Sequence, residues 1–171
     1  SMGEEQKGIV RLEAFWIDTW LRRNYEGIES RYIVHDVVAS EVDRKTFFSI
    51  REDGGTRISS ALQCCKELLD AHYDPIDWNI YLFHFSDGDN SSESDNRLCV
   101  QILQKHLVPI VNMFGYCQVT SPYGSGSFIN VLREAFPAGP DGDDSQRVVT
   151  SRVNGREDIY ESLRTFFKSG K

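Results

Sequence analysis

Residues 78–90 read WNIYLFHFSDGDN, an apolar run that ends in a cluster of turn-forming residues. The run from Trp78 to Phe85 consists largely of aromatic and aliphatic side chains, which is typical of a strand buried on both faces. The polar residues that follow favour a turn. Asp87 is therefore predicted to lie at the carboxyl end of a central strand, where open α/β sheets bind their ligands.

A second loop adds a hydroxyl group to this predicted site. Gly54, Gly55 and Thr56 stand directly before an amphipathic helix predicted at residues 57–72. A hydroxyl and a carboxylate on two adjacent loops are oxygen donors of the kind that hard cations bind. Taken alone, Thr56 would equally suit a helix N-cap, and Asp87 a turn or an N-cap.

Composition and charge exclude several classes of protein. The chain has 171 residues, 40% of them hydrophobic, which is enough for one globular domain with a sizeable core. Its formal net charge is −7 and it has no Lys/Arg cluster, which argues against a nucleic-acid-binding surface. No apolar stretch reaches the roughly 20 residues that span a bilayer. The four cysteines lack Cys-x-x-Cys spacing, so we expect free thiols in a reducing cytoplasm.

Predicted helices and strands alternate along the chain. The predicted helices are residues 4–24, 57–72, 96–106, 128–135 and 156–168, and the predicted strands are residues 29–36, 45–50, 78–85, 110–119 and 147–153. This order predicts a three-layer, doubly wound, mostly parallel sheet of the Rossmann-like kind, with helices on both faces. In the first helix, the aromatic residues Phe15, Trp16 and Trp20 are predicted to pack in the core.

The first predicted element is a helix, whereas a doubly wound fold normally opens with its central strand. We therefore expect residues 1–171 to form a single domain that lacks its first central strand and is a C-terminal fragment of a longer protein. Ser1 and Glu4 fit a capping box at the start of the helix. A sheet without its central strand is expected to recruit a partner chain or to form a homodimer.

Several stretches, taken in order, match a known family. They are residues 1–3, 21–26, 35–42, 47–48, 54–61, 78–81, 86–90 and 166–168. Together they resemble a von Willebrand factor A-type domain with a metal-ion-dependent adhesion site. More closely, they resemble the bacterial family that includes the sporulation protein YhbH and its relative YeaH. The resemblance covers nearly the whole chain, and the SDGDN motif at residues 86–90 is its most specific part.

The resemblance implies a metal site built from three loops. Ser1, Thr56 and Asp87 match one ligand position in each loop, while an Asp and a further Ser of the first loop would lie upstream of Ser1. The remaining implied site residues, at the rim or behind the ligands, are Ser86, Asp89 and Gly55. The implied cation is Mg²⁺ or Mn²⁺, because both accept the same oxygen ligands.

The same resemblance implies a function in binding rather than catalysis. A cation held partly by neutral hydroxyls retains positive charge and attracts a carboxylate from a partner protein. The implied protein is a cytoplasmic, metal-dependent protein-binding domain connected with bacterial sporulation or stress response. A PrkA-type serine kinase is the candidate partner, because members of the family tend to be encoded near one. No nucleic-acid or membrane partner is expected.

Two alternatives remain open at this point. The SDGDN motif also resembles the Asp-x-Asp loop of aspartate-nucleophile phosphatases, in which Asp87 would attack phosphate and Asp89 would act as acid and base. Further phosphatase residues would be the hydroxyl of Thr120 and the Mg²⁺ ligands Asp141, Asp143 and Asp144. The position of the motif in the middle of the chain argues against this reading, as does the lack of a suitable lysine. The third possibility is an interaction module without a metal.

Overall fold

A computed structural model of the chain describes residues 3–35, 37–49, 57–121, 126–138 and 147–169. The helices are α1 (Glu4–Asn24), α2 (Arg44–Ser49), α3 (Ile58–His72), α4 (Glu93–Ile102), α5 (Phe128–Ala135) and α6 (Ile159–Ser169). The strands are β1 (Tyr32–His35), β2 (Ala39–Val42), β3 (Tyr81–Ser86), β4 (Met113–Val119) and β5 (Val148–Val153). A π-helical segment, Leu103–Leu107, extends α4, and a 3₁₀ turn, Arg156–Asp158, precedes α6.

The strands of the described ranges form two sheets. In the larger one, β4 lies in the middle and pairs in parallel with β3 and β5. Tyr81 is opposite Met113 in this sheet, and Phe114 is opposite Val148. The smaller sheet is an antiparallel hairpin of β1 and β2. The protein is therefore a mixed α/β structure whose parallel sheet has connecting helices, as the alternating pattern predicts.

Alternate residues of β4 divide the core into two halves. Phe114 and Tyr116 belong to a cluster with apolar residues of α3, α4 and α5. Met113 and Cys117 belong to a second cluster with residues of α1 and α6. Because successive side chains of a strand point to opposite faces, the two clusters cover opposite faces of the sheet. The three-stranded parallel sheet is thus flanked by helices on both sides.

The predicted burial of aromatic residues in α1 is wrong for two of the three. Phe15 is 43% exposed and Trp16 is 47% exposed, while Trp20 stacks on Phe167 with ring centroids 4.1 Å apart. The face of α1 that packs on the sheet is centred on Glu13. It is therefore rotated about the helix axis by about one residue from the predicted face. A glutamate is tolerated there because Ser162 and Cys117 donate hydrogen bonds to its carboxylate.

The strand predicted at residues 45–50 is wrong, because Arg44–Ser49 is the helix α2. The side chain of Asp43 accepts a hydrogen bond from the Thr46 amide nitrogen at 2.7 Å, which caps the first turn of this helix. The strand in this part of the chain lies earlier, at Ala39–Val42, where it pairs with β1. The aromatic residues that suggested a strand instead pack against Tyr32 from the helix.

The position predicted for the strand at residues 78–85 also needs correction. It forms β3, but in the described part of the chain β3 is an edge strand, and β4 is the central strand. Its first five residues are half-buried rather than buried on both faces, whereas every residue of β4 is buried. The apolar sequence was read as a central strand because composition alone does not show which neighbours a strand has.

Two smaller predictions concern thiols and membranes. All four cysteines are free, with Cys99 and Cys117 buried and the other two, in α3, half-buried. Among the residues that the structure describes, no helix combines the length and apolarity needed to cross a bilayer.

Candidate functional site

The candidate site lies where β3 ends. Ser86 and Asp87 are only 6% and 7% exposed, and the chain then turns sharply at Gly88, which has a φ of 85°. A side chain at Gly88 would also collide with Gln118, whose Oε1 would lie 2.3 Å from the added Cβ. The Asp89 amide nitrogen donates a hydrogen bond to Asp87 Oδ1 at 3.0 Å. This turn places two carboxylates at the carboxyl end of a parallel strand.

A buried polar network fixes the turn from below. The hydroxyl oxygens of Ser86 and Tyr116 lie 2.6 Å apart, and the Gly88 amide donates to Ser86 Oγ at 3.1 Å. The Tyr116 hydroxyl also donates to Gln118 Oε1 at 3.3 Å. Burial raises the pKa of Tyr116 far above its ordinary value, so this hydroxyl keeps its proton. Ser86 therefore supports the turn through its hydroxyl.

The loop before α5 is held against the same turn. The Gly126 amide donates to the Asp87 carbonyl oxygen at 3.2 Å, and the Phe128 amide donates to the Gly88 carbonyl at the same distance. From inside the sheet, Gln118 accepts a hydrogen bond from the Ile129 amide and donates one to the Gly126 carbonyl. The loop that follows β4 is thereby tied to the loop that follows β3.

The start of α3 is the third element at this edge. The Ile58 amide donates to Asn90 Oδ1 at 3.1 Å, and the Ser59 amide donates to Asp95 Oδ2 at the same distance. Burial alone would raise the pKa of Asp95, but the hydrogen bonds from Ser59 outweigh it and lower the pKa below its ordinary value. The first turn of α3 is therefore anchored beside the turn that carries Asp87.

The two carboxylates of the turn influence each other. Partial desolvation and the neighbouring charge of Asp87 raise the pKa of Asp89 above its ordinary value. A divalent cation bound at this turn would favour the ionised form of both carboxylates, because its positive charge offsets their mutual repulsion. The electrostatics of the turn are therefore suited to a cation.

The structure brings together only some of the predicted site residues. Asp87, Ser86 and Asp89 share the turn after β3, with Asp87 and Ser86 buried and Asp89 exposed. The predicted residues outside the described ranges are Ser1, Gly55 and Thr56. Over the ranges that the structure does describe, no group of three or more His, Cys, Asp and Glu residues is arranged to hold a metal ion.

Of the further residues of the phosphatase alternative, the structure describes only Thr120. The hydroxyl of Thr120 donates to Asn154 Oδ1 at 2.6 Å, so it is engaged with the loop after β5. The residues that would supply further metal ligands, Asp141, Asp143 and Asp144, lie outside the described ranges. The described structure thus adds no second functional group of this kind beside Asp87.

Sequence reasoning missed the residues that position the site. Asn90 anchors α3, while Tyr116 and Gln118 support the turn from β4. The sequence signal that could have identified this network is a glutamine near the end of an apolar strand, because a buried polar side chain needs partners.

A histidine pair lies beside the site. Nε2 of His84 is 3.1 Å from Nε2 of His35, linking the ends of β3 and β1. Burial, together with the neighbouring His35, lowers the pKa of His84 to about 3, so its ring is neutral near pH 7. A neutral ring on this side leaves Asp87 and Asp89 without a positive charge from His84.

The fold and this site define a mixed α/β protein with an acidic turn at the carboxyl edge of a parallel sheet. The chain belongs to the family described as "Protein of unknown function (DUF444)", whose profile matches residues 1–170. This membership confirms the resemblance at the level of an uncharacterised bacterial family.

Three relatives illustrate the similarity. UPF0229 protein BH1031 of Halalkalibacterium halodurans is 36% identical over 168 residues, which cover 98% of this chain and 41% of the relative. UPF0229 protein ABC1477 of Shouchella clausii is 38% identical over 168 residues, covering 98% of this chain and 40% of the relative. UPF0229 protein PC1_1960 of Pectobacterium carotovorum is 34% identical over 170 residues, which cover 98% of this chain and 38% of the relative. The chain spans about two fifths of the length of these curated relatives.

Proposed function

We propose that this protein is a protein-binding domain of the von Willebrand factor A type that depends on a divalent cation. The cation, Mg²⁺ or Mn²⁺, binds at the carboxyl end of β3. The observation that carries the proposal is the placement of Asp87, a buried carboxylate at the end of a parallel strand, with the loop before α5 and the first turn of α3 hydrogen-bonded to the same turn. Such strand ends are where open α/β sheets bind ligands.

The oxygen atoms of the proposed ligands are of the chemical type that hard cations bind. Asp87 is the proposed carboxylate ligand, the hydroxyls of Thr56 and Ser1 are the proposed further ligands, and Asp89 lies at the rim of the site. Mg²⁺ requires oxygen ligands and retains several waters, so a few protein groups are sufficient to hold it. A bound cation of this kind supplies an open position that a carboxylate of a partner protein fills.

The geometry of this site favours a function in binding over one in catalysis. Two buried hydroxyls of the described structure, those of Ser86 and Tyr116, bond to each other, and Ser86 also accepts from the Gly88 amide, so both hydroxyls support the turn. We extend the proposal to a cytoplasmic role in bacterial sporulation or stress response, with a PrkA-type serine kinase as the candidate partner. This extension rests on the family resemblance of the sequence.

One observation favours the phosphatase as a second candidate. The raised pKa of Asp89, two residues after Asp87, is what a general acid requires. Hydrolysis of para-nitrophenyl phosphate with Mg²⁺ distinguishes the two candidates. Hydrolysis by the wild-type protein that is lost in Asp87→Asn would establish the phosphatase. If the wild-type protein does not hydrolyse the substrate, the binding function is the candidate that remains.

Calorimetric titration with MgCl₂ and MnCl₂ tests the proposal. It is run on the 171-residue chain and on an extended chain. In the extended chain, the residues that directly precede Ser1 in the natural polypeptide are restored, about 15 being enough for one strand and a short connection. We expect the extended chain to bind the cation and Asp87→Ala to abolish binding.

The matched control is Asp70→Ala, which removes an exposed aspartate of α3 that pairs with Lys66. It is expected to leave cation binding unchanged. Binding that persists in Asp87→Ala, or no binding in either chain, would overturn the proposal. Pull-down of a carboxylate-bearing partner is informative only after this result.

A further inference from the structure

A pocket lined by three arginines lies at the opposite end of α1 from the candidate site. Arg22 and Arg23 belong to the last turn of α1, and Arg44 is the first residue of α2. Together with Asp18 and Thr19 they line an open pocket of about 430 Å³. Three positive charges and one negative charge give this lining a net charge of +2, although the whole chain carries −7. The pocket is therefore a local positive site on an acidic protein.

The course of α1 separates this pocket from the turn that carries Asp87. Near the start of the helix, the Gln6 side chain donates to the carbonyl oxygen of Thr120, the residue after β4, at 3.4 Å. Further along, Glu13 accepts a hydrogen bond from Cys117 within β4. The helix thus begins at the carboxyl edge of the parallel sheet and runs towards its amino edge. Arg22 lies about 24 Å from Gln6 along the helix axis.

Asp18 holds two of the arginines in place. Its side chain is 9% exposed, and its carboxylate accepts a hydrogen bond from Arg22 Nε at 3.1 Å and another from Arg44 Nη1. Burial alone would raise the pKa of Asp18, but its hydrogen bonds, led by the one from Arg44, outweigh burial and lower the pKa below its ordinary value. The ionised carboxylate therefore fixes two guanidinium groups that come from different helices.

Neighbouring side chains restrict the same two guanidinium groups further. Arg22 Nη2 donates to Ser30 Oγ at 3.2 Å, and Arg44 Nη1 donates to the Tyr32 hydroxyl at 2.9 Å. The Arg44 guanidinium also lies over the ring of Phe48, 4.9 Å from its centroid. Arginine side chains that are already held in this way lose little further freedom when a ligand binds.

The arginines retain hydrogen-bond donors for a ligand. A guanidinium has five N–H groups, and the bonds above engage Nε and Nη2 of Arg22 and Nη1 of Arg44. Both side chains are nearly half exposed, at 49% and 46%. Arg23 is exposed and makes no hydrogen bond or ion pair with any residue that the structure describes. Within the described ranges, all three arginines thus have N–H groups to offer at the pocket.

The dipole of α1 accounts for only part of this arrangement. Arginines in the last turn of a helix are stabilised by its negative end, which explains the presence of Arg22 and Arg23. It does not explain Arg44, which belongs to another helix and bonds to the same carboxylate. One arginine would neutralise Asp18, so the other two leave positive charge that a bound anion can balance.

We propose that this pocket binds the phosphate group of a phosphomonoester. Such a group carries about two negative charges near pH 7 and has three acceptor oxygens, which match the charge and the donors of the pocket. Arginine binds phosphate through paired hydrogen bonds. The volume of about 430 Å³ lies within the range of about 300–1,000 Å³ of ligand pockets, which leaves room for the organic part of the ligand. A phosphoserine side chain and a small phosphorylated molecule share this chemistry.

NMR titration of the 171-residue chain tests the proposal. The buffer has low salt, because salt screens exposed charges, and contains EDTA, so that no divalent cation takes part. One ligand is inorganic phosphate, and the other is a short acetylated peptide with a single phosphoserine. We expect both to shift the amide signals of residues 18–23 and 44–46, with dissociation constants of about 1 mM or tighter. The unphosphorylated peptide should not bind.

The two sources of the phosphate group differ in relative affinity. Binding of the phosphopeptide about tenfold tighter than that of inorganic phosphate would support a phosphorylated partner protein, because the pocket would then also contact the peptide. Equal affinities would support a small phosphorylated molecule.

Arg23→Gln is the most informative variant, because it breaks no bond that the described structure shows. We expect it to weaken the binding of both ligands about fivefold, which is the effect of one partly exposed ion pair. Arg97→Gln, which removes an exposed arginine of α4 outside the pocket, is the matched control and should leave both affinities unchanged. Urea denaturation should show that neither substitution changes stability by more than about 0.5 kcal/mol.

Three outcomes would overturn the proposal. The first is that neither inorganic phosphate nor the phosphopeptide shifts the signals of the pocket. The second is that Arg23→Gln and Arg97→Gln affect the affinities equally, which would indicate a general attraction of anions to arginine. The third is that the shifts are centred on Gly88 and Asp89, at the candidate cation site. None of these outcomes bears on cation binding beside Asp87.

Discussion

Gly126 lies directly against Gly88, so that a Cβ added at Gly126 would be 1.9 Å from the Gly88 carbonyl oxygen. The contact is between two backbones, one in the loop before α5 and the other in the turn that carries Asp87. No side chain can move aside to relieve it. The close approach therefore couples the shape of the candidate site to the position of α5.

Substitution of Gly126 by alanine should disturb both loops. The added methyl must displace backbone, and we expect Gly126→Ala to lower the free energy of unfolding by roughly 2–3 kcal/mol. Urea denaturation measures this change. Gly8→Ala in α1 is the control, because its Cβ would lie 3.5 Å from the Arg156 side chain and its helical position favours alanine. A stability loss at Gly126 no larger than at Gly8 would contradict the contact.

Asp95 should be necessary for holding the start of α3 beside the site. Its carboxylate accepts hydrogen bonds from the amide and the hydroxyl of Ser59. We expect Asp95→Ala to cost roughly 1–3 kcal/mol, because two buried donors lose their acceptor. Glu93→Ala, which removes an exposed carboxylate from the same helix turn, should change stability by less than about 0.5 kcal/mol. Equal effects of the two substitutions in chemical denaturation would refute the assignment.

The pH dependence of the Asp95 contribution has a defined sign. The folded state lowers the pKa of Asp95 below its ordinary value of 3.8. Its stabilising contribution is therefore present above that value and is lost as pH falls through the lower, folded pKa. The stability gap between wild type and Asp95→Ala should narrow only under strongly acidic conditions.

Glu13 should make the protein less stable as pH rises. Burial raises the pKa of Glu13 above its ordinary value of 4.5, and hydrogen bonds from Ser162 and Cys117 offset part of that effect. The folded state therefore binds the proton more tightly than the unfolded state, and stability falls as pH increases from about 4.5 through the raised pKa. Glu13→Gln should remove this fall, as measured by urea denaturation between pH 4 and 8. Glu134→Gln, at an exposed position of α5, should leave the pH profile unchanged.

A stability that rises with pH would contradict the conclusion that burial raises the pKa of Glu13. If wild type gained stability relative to Glu13→Gln as pH rose, the folded state would favour the carboxylate. The account of the α1 face centred on Glu13 would then fail.

Most elements of the fold could be predicted because their patterns are local. The periodicity of α1 and α3 and the apolar runs of β3, β4 and β5 identified these elements, with shifts of a few residues at their ends. The turn after β3 was equally clear, because Ser, Asp, Gly and Asn determine turns through their own side chains and backbone. Asp87 could therefore be placed from sequence at the end of a strand.

The failures concern partners distant in sequence. Whether β3 is central or at an edge depends on which strands pair with it, which its own residues do not encode. Phe47 and Phe48 suggested a strand, but the cap from Asp43 determined a helix. The polar network of Tyr116 and Gln118 lies within an apolar strand, where hydrogen-bond partners come from other elements.

The proposed function requires a divalent cation to bind beside Asp87. Its most direct test is the paramagnetic broadening of amide NMR signals by substoichiometric Mn²⁺, recorded on the extended chain. If the cation binds beside Asp87, we expect selective broadening at Gly88, Asp89 and Gly126, and loss of that broadening in Asp87→Ala. Broadening centred elsewhere, or the same broadening at Gly88 in Asp87→Ala, would contradict it.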